Sequence, residues 1–561
     1  MSNSSESTSV LVVGGGPTGL LASILLSKYE IPHVLVEQRS HTLNAPAAHV
    51  VNTRTMEIYR QAGLNVGELY ALNTHPRAGL VSWKDRLENR PIGVFDMAGN
   101  REALMAQTQF SGEHTTNISQ HRLEAYLLRH AGASEFADIR FGTRWSRFTS
   151  DDKRSSQLQR QDGETLEVAY DFMLAADGAG SSVSRALGIR KVGPDAIATF
   201  LNLTCEVDIA KVTGEDSSLL YWLLDPDVQG TVIVHDPHEL SVYMRPIAVP
   251  YESVDDYDDA RCEKLLKAVF GDQPYRIRHK GVWKMTAQVA EKFRDGPVFL
   301  VGDSIHRFPP TGGLGLNTGA GDVHNLVWKL GAALAADMNE VRVQDLLDSY
   351  ELERRPVAQR NCDVSKHNND KMIEVIEALG LDPSKAGMLA QVMNSWIVKR
   401  LPAGIQASLY GLLTSPVRKI LRDALADDAQ GQSIRKRVAN AIANQREHFS
   451  SIGLDLGYVY REGCAVSEAA AETPGSEVTT YTETIGAGAR LPHREQTSDA
   501  GGRLHDLLDY RSFTLFGEPP TAIPDTFGVE VKHARLDAAD GLATERWVLV
   551  RPDGHVMAAG P

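Results

Sequence analysis

Apolar residues first gather in this chain as an unbroken run, Val10, Leu11, Val12 and Val13, which predicts a strand buried on both faces. The run passes straight into Gly14-x-Gly16-x-x-Gly19, after which Leu20, Leu21, Ile24 and Leu25 recur at helical spacing until Pro32 closes the pattern. Residues 34–36 form a second apolar strand ending in Glu37, so 10–37 reads as a βαβ unit. Further on, Met56, Ile58 and Tyr59 mark an amphipathic helix, and Leu123, Tyr126, Leu127 and His130 mark another. Residues 139–148 and 157–169 read as strands around a polar hairpin, and 171–176 as a buried strand ending in Asp177-Gly178. Four short β-rich runs within 198–250, separated by turns at Asp225-Pro226-Asp227 and Asp236-Pro237-His238, predict an antiparallel sheet. A last buried strand, 298–301, enters Gly302-Asp303, a loop rich in glycine and proline, and a long helix through Trp328 and Leu330.

The chemistry follows from where polar residues interrupt these runs. Glycines at 14, 16 and 19 let backbone amides and a helix N-terminus approach a pyrophosphate, and a carboxylate at the tip of the second strand, Glu37, can hold ribose hydroxyls. This fingerprint alone does not separate NAD, NADP and FAD. Asp177-Gly178 lies at a strand's carboxyl end, where α/β folds place ligand residues, and is equally a plain turn signal. The loop with Pro309, Pro310, Gly312, Gly313, Gly315 and Gly319 costs backbone order, which suits backbone lying flat against a ligand. Arg54 and His49 read either as cofactor contacts or as surface charges. Tyr221, His235, Tyr243 and Arg245 read either as a cavity lining or as core.

The whole chain, 561 residues with 42% hydrophobic and 23% charged, is that of a globular protein of several domains. A net charge of −14 argues against nucleic acid or an anionic membrane as main partner. The acidic flank at Glu6 and the Gly-Gly-Gly-Pro break disfavour a signal peptide or membrane span at the N-terminus. Cysteines at 205, 262, 362 and 464 lack metal or redox spacing, which implies a reducing, cytoplasmic setting and no metal. Residues 1–9 are expected to be a disordered tail.

Three separated segments, the glycine fingerprint with Glu37, Asp177-Gly178 with Ser181 and Arg185, and Gly302-Asp303 with the 308–325 loop, resemble the class A flavoprotein monooxygenases. The likeness is strongest to the branch of phenol and 2,4-dichlorophenol hydroxylases and aromatic polyketide hydroxylases, which share the para-hydroxybenzoate hydroxylase fold. The resemblance implies an α/β (α+β overall) architecture: a Rossmann-like FAD-binding domain (1–78, 110–190, 295–362), a substrate-domain excursion (79–109), an antiparallel-sheet substrate domain (191–294), a helical segment (363–450) and a thioredoxin-like C-terminal domain (451–561), with 469–477 as a linker. It implies noncovalent FAD, with NADPH as a transient co-substrate, O2, and hydroxylation of a phenolic or polyketide-like aromatic through a flavin C4a-hydroperoxide. By the same resemblance Gly14, Gly16, Gly19 and Glu37 hold the adenosine half, and Arg54 and Gln120 lie near the pyrophosphate or flavin. Asp177 sits by the pyrophosphate, Gly302 and Asp303 take the ribityl chain, and Pro309, Gly312, Leu316 and Asn317 lie along the isoalloxazine. Phenol hydroxylase carries an acid where this chain has Ala48, so the base is open among His49, His235, Tyr243 and water, with Tyr221 and Arg245 as pocket candidates. Baeyer–Villiger insertion, epoxidation and dearomatisation are alternative outcomes, and a silent flavin-binding protein a more distant one. The apolar stripes after 363 are expected to pack on the flavin domain or a second subunit in a homodimer, and deletion of 478–561 is expected to spare flavin reduction.

Overall fold

The structure, a computed structural model, describes residues 5–43, 46–75, 78–97, 108–214, 217–335, 338–382, 384–464, 474–495, 502–534 and 547–560. Residues 469–473 of the expected linker and 1–4 of the expected tail lie outside these. Among the described residues no helix is long and apolar enough to cross a membrane, and no group of His, Cys, Asp and Glu could hold a metal.

Five parallel strands run side by side in the order Val298–Leu300, Thr165–Ala175, Ser5–Val13, His33–Glu37 and Ala137–Phe141. The first strand begins at Ser5, not Val10, because Thr165–Ala175 is long enough to pair with its polar start: Ser5 to Thr8 sit opposite Glu167 to Tyr170. Helix Pro17–Lys28 returns the chain from Ser5–Val13 to His33–Glu37 and packs on Gln120–Ala131 and Leu314–Ala335. Their apolar residues share one core with the strands, centred on Val10, Leu11, Leu25, Leu174, Phe299 and Trp328.

A second sheet has seven strands, in the order Tyr275–Met285, Ala198–Val207, Leu240–Ile247, Gly230–Asp236, Leu220–Leu223, Leu80–Lys84 and Gly93–Asp96. Residues 80–96 therefore extend the 198–285 sheet, through a parallel pair of Leu80–Lys84 with Leu220–Leu223. Leu201, Leu203, Tyr221, Leu223, Val232, Val234 and Tyr243 point to one face and meet Cys262, Leu266, Val269 and Phe270 of helix Asp259–Phe270. Side chains alternate along each strand, so Asn202, Trp222, Ile233 and Met244 belong to the other face.

Stripes of the helical segment pack on the second sheet and not on the nucleotide domain, one of the two partners expected for them. Val375, Leu379, Leu421, Ile434, Val438 and Ile442 close over Val81, Trp83 and Ile92 at the far end of the second sheet. Met388, Trp396, Ile397 and Leu412 are left exposed. The tail forms a mixed sheet in the order Val531–Ala534, Phe513–Gly517, Trp547–Val550 and Val556–Gly560, the first pair parallel and the others antiparallel. Phe513, Leu515, Leu549 and Met557 join the core of the first domain, while Phe516, Val548, Val550 and Val556 pack with Leu491 and Leu504. This sheet is thus built into the first domain.

Candidate active site

Strands Ser5–Val13, His33–Glu37 and Thr165–Ala175 deliver Gly14, Glu37 and Asp177 to the wall of one groove of about 510 Å3, which Gly16, Gln120, Asp303 and Leu316 also line. Ligands in open parallel sheets bind at this carboxyl edge. The fingerprint glycines act differently there. Gly14 has φ +111, and a Cβ would stand 2.3 Å from the Ala176 carbonyl oxygen; at Gly19 a Cβ would stand 1.9 Å from the Gly14 oxygen. Those two glycines let turn, helix and strand close up, so Gly19 supports the groove from behind. Gly16 faces no atom within 4 Å of a would-be Cβ and has φ −78, so the chain itself does not require glycine there. It is the N-cap of Pro17–Lys28 and offers no side-chain cap, which leaves helix N–H groups free toward the groove.

Glu37 is buried and accepts from the Gly15 amide at 2.7 Å and from the backbone and Nε of Arg39, each at 2.9 Å. Burial raises its pKa, but the Arg39 and Gly15 hydrogen bonds outweigh this and hold the carboxyl below its ordinary value. Asp303 stands across the groove with its side chain exposed to it. Enclosure by the surrounding chain pushes its carboxyl up, against His306, Lys191 and Arg307. No donor among the described residues satisfies that carboxylate. Asp177 turns one oxygen to the amides of Ser182 and Val183, at 2.7 and 3.2 Å, and so caps helix Ser182–Ala186; its Oδ1 is buried without a partner among the described residues. Gln120 accepts from the Ala48 amide at 3.1 Å and donates to Glu124 at 2.9 Å. Two carboxylates with spare acceptors, an uncapped helix end and a glycine that no contact of the chain itself requires fit a dinucleotide.

Several expected residues hold the groove up instead of lining it. Gly302, with φ +62, donates its amide to Asp322 Oδ2 at 3.1 Å. Asn317 donates to the carbonyls of Val50 (3.0 Å) and Gly313 (2.6 Å) and accepts from the Asn52 amide (2.9 Å), which pins the 308–317 loop to the strand Val50–Val51. Pro309 is buried within this loop, and Gly312 adopts φ +94; Leu316 is the loop residue that reaches the groove. Arg54, expected near the pyrophosphate or flavin, is buried on helix Thr53–Gln61, donates to Glu57 at 2.9 Å and to the Asp553 carbonyl at 2.8 Å, and lines not this groove but a smaller cavity that it shares with Leu314 and Asn317. Its partner in the tail lies 499 positions away, which no local pattern reveals.

On the sheet side, three of the expected residues are also corrected. The Tyr243 hydroxyl donates to the carbonyls of Val228 and Gln229, and burial pushes its pKa up to about 12. Tyr221 accepts from the Ser218 amide in the same core, and Arg245 donates to the Gln229 carbonyl at 3.1 Å. All three belong to the face covered by Asp259–Phe270; the runs in 198–250 show which residues alternate but not which set the helix covers. Asn202 and Trp222 were missed: both lie on the other face, and Asn202 Oδ1 and Trp222 Nε1 are buried without partners among the described residues. His235 leaves this core at a register shift between Val234 and Asp236 and meets the nucleotide domain, where its ring stands edge-on to His49, 5.4 Å between centroids at 88°. His49 follows Ala48, which lines the groove.

Comparison with known proteins matches residues 7–365 to the FAD binding domain family. A proposed polyketide hydroxylase of Streptomyces coelicolor is 33% identical over 367 residues, 64% of this chain and 57% of that protein, and one of Streptomyces halstedii 34% identical over 62% of this chain and 63% of that protein. The chain thus spans about three fifths of the length of these two relatives. The 2,4-dichlorophenol 6-monooxygenase of Cupriavidus pinatubonensis is 28% identical over 91% of this chain and 82% of that protein. Among solved structures, the flavin-dependent monooxygenase PieE, in complex with FAD and substrate, superposes with a TM-score of 0.84 at 27% identity, over 99% of this chain and 96% of that one.

Proposed function

Because this chain belongs to the FAD binding domain family, we propose that it is an FAD-dependent monooxygenase that hydroxylates a phenolic or polyketide-like aromatic. The observation that carries this reading is the one groove lined by both Glu37 and Asp303, and also by Ala48, the neighbour of His49 in the chain. The Gly16 helix end would hold the pyrophosphate, Glu37 the adenosine ribose and Asp303 the ribityl hydroxyls, with Leu316 and the Asn317-pinned loop along the flavin ring. Bound there, reduced flavin would supply the electrons and the activated oxygen for insertion into the ring.

The chain's own tasks are to seat the aromatic beside the groove and to keep water from it. Ile233 and Met244, on the face turned away from Asp259–Phe270, would offer apolar surface for the ring, while Trp222 on that face packs against the helical segment. A single dinucleotide fingerprint is present and FAD occupies it in this reading, so NADPH docks only transiently. Names of relatives that act on dichlorophenol and polyketides support an aromatic substrate. The test is substrate-stimulated NADPH consumption across phenols and aromatic polyketides, with 18O2 and mass analysis of product. One labelled oxygen atom on an aromatic carbon is expected; stoichiometric peroxide with unchanged aromatics throughout would refute the reading, and ring expansion or an epoxide would move it to the alternative oxidations.

A further inference from the structure

A second cavity, of about 210 Å3, lies where the tail meets the first domain and shares no lining residue with the groove. Helices Pro17–Lys28 and Thr53–Gln61 form one wall, and the tail around His493 and Arg503 the other. Helix Pro17–Lys28 thus touches both sites, with Gly16 before its start and Lys28 at its end, roughly 18 Å apart along 12 residues. Every carboxylate that lines the cavity already holds a guanidinium. Glu57 accepts from Arg54 and from Arg490 Nε, both at 2.9 Å. Glu113 accepts from Arg503, and Asp506 from Arg60 at 2.8 Å. Four guanidiniums and the Lys28 ammonium therefore stand against three carboxylates, an excess of two positive charges. Lys28 is left over: its ammonium has no hydrogen bond or ion pair among the described residues, and the nearby Asp509 is bonded by Lys532. Burial lowers the Lys28 pKa against the attraction of Asp509, as befits an ammonium without a counter-ion. His493 is left over too. It is 4% exposed, and its ring has no hydrogen-bond partner among the described residues; burial and then Arg490 hold its pKa below the usual value, so it stays neutral near pH 7. Arg54 adds a buried Nε that also lacks a partner there. Donors left unsatisfied in this way cost free energy until an acceptor arrives.

We propose that this cavity is a second binding site, for a phosphate group carrying two negative charges, held chiefly by Lys28 and His493. Such a dianion supplies the counter-ion that Lys28 lacks and an acceptor for the His493 ring, and it balances both excess charges, where a carboxylate would balance one. At about 210 Å3 the cavity falls below the roughly 300–1,000 Å3 of drug-sized sites, which limits the ligand to inorganic phosphate or a small phosphomonoester. Gly112 helps to build the wall, since a Cβ there would strike the Arg503 guanidinium. A ligand in this place touches domain and tail together and so stabilises their junction. The site lies outside the groove and stands or falls apart from the monooxygenase reading.

The test is isothermal titration of the full chain, loaded with FAD so that the groove is filled, with inorganic phosphate and with glucose 6-phosphate at constant ionic strength. One saturable site per chain is expected, and Tm should be higher in phosphate than in chloride. Lys28→Met removes an ammonium that has no partner, so in chloride it should fold with a Tm no lower than the wild type, as near-UV circular dichroism and melting would show. It should nevertheless bind phosphate about 10- to 100-fold more weakly and lose the phosphate-dependent rise in Tm. His493→Ala should weaken binding in the same direction. Tighter binding of glucose 6-phosphate than of phosphate would support the site and identify a phosphomonoester as its ligand; the reverse would support it with the free ion. No saturable heat from either probe in the wild type, or a Lys28→Met variant that binds both as tightly as the wild type, overturns the assignment. Flavin absorbance reports the groove separately.

Discussion

Glu37 and Asp303 face the same groove with opposite electrostatic histories. Glu37 is already held ionised by Arg39 and the Gly15 amide, whereas enclosure penalises ionised Asp303 until something donates to it. Glu37→Gln should weaken FAD binding by about 1.5–3 kcal/mol, roughly 10- to 150-fold in Kd, measured by flavin fluorescence titration of apoprotein. Asp303→Asn should separate two readouts. Its folded pKa is raised, so ionisation takes stability away as pH rises above the ordinary carboxylate value. The apoprotein should therefore melt no lower at neutral pH while retaining less FAD; a lower apo Tm with full FAD retention would contradict this. Tyr243→Phe, which frees two buried carbonyls, should cost about 1–3 kcal/mol in denaturant unfolding yet leave turnover intact. Both carboxylates were legible from sequence because each ends an apolar strand; Arg54 was not, since its role depends on a carbonyl supplied by Asp553.

At the scale of elements, the βαβ unit was readable because an unbroken apolar run, a glycine turn and a helical stripe agree with one another. What that pattern hides is which glycine serves the fold and which the ligand. Gly19→Ala would drive a methyl against the Gly14 carbonyl oxygen, a backbone atom that cannot swing aside. It should cost at least the roughly 1–3 kcal/mol of an overpacked core and lower both Tm and flavin content, whereas Gly16→Ala should fold normally and lose only FAD affinity. Equal Tm losses in the two variants would show that the division is wrong. In the second sheet, the alternation along 198–250 was equally plain, but periodicity of two leaves the faces interchangeable. Only the position of Asp259–Phe270 decides that Tyr221 and Tyr243 are core.

Across the molecule, the tail is tied to the flavin-binding half by buried ion pairs that no sequence window contains. Arg490 pairs with Glu57 through Nε at 2.9 Å, and Arg551 donates to Glu353 at 2.9 and 2.8 Å, while Lys329 meets the same carboxylate at 2.8 Å. Asp322, which also receives the Gly302 amide, accepts from Arg354 at 2.9 Å and bonds His306 at 2.7 Å. Deleting 478–561 therefore strands Glu57 without Arg490 and Glu353 without Arg551, and the expectation that flavin reduction survives it is replaced: the truncated chain should be insoluble or molten. Arg551→Leu alone should cost about 3–5 kcal/mol, because it leaves a buried charge uncompensated, as denaturant unfolding would reveal. Burial opposes ionisation of Glu353, but Arg551 and Lys329 outweigh it and depress its pKa to about 2. The stability it contributes is present above about 4.5 and lost as pH falls from there toward 2; acid titration followed by limited proteolysis should release the tail over that window.

The most direct test of the account is a stoichiometric FAD titration of the full chain beside its Glu37→Ala and Asp303→Ala variants. One tightly held, noncovalent FAD per chain in the wild type, with occupancy falling in both variants while their folds persist, is the predicted result. A wild type that binds no flavin, or two variants that remain fully yellow, would contradict it.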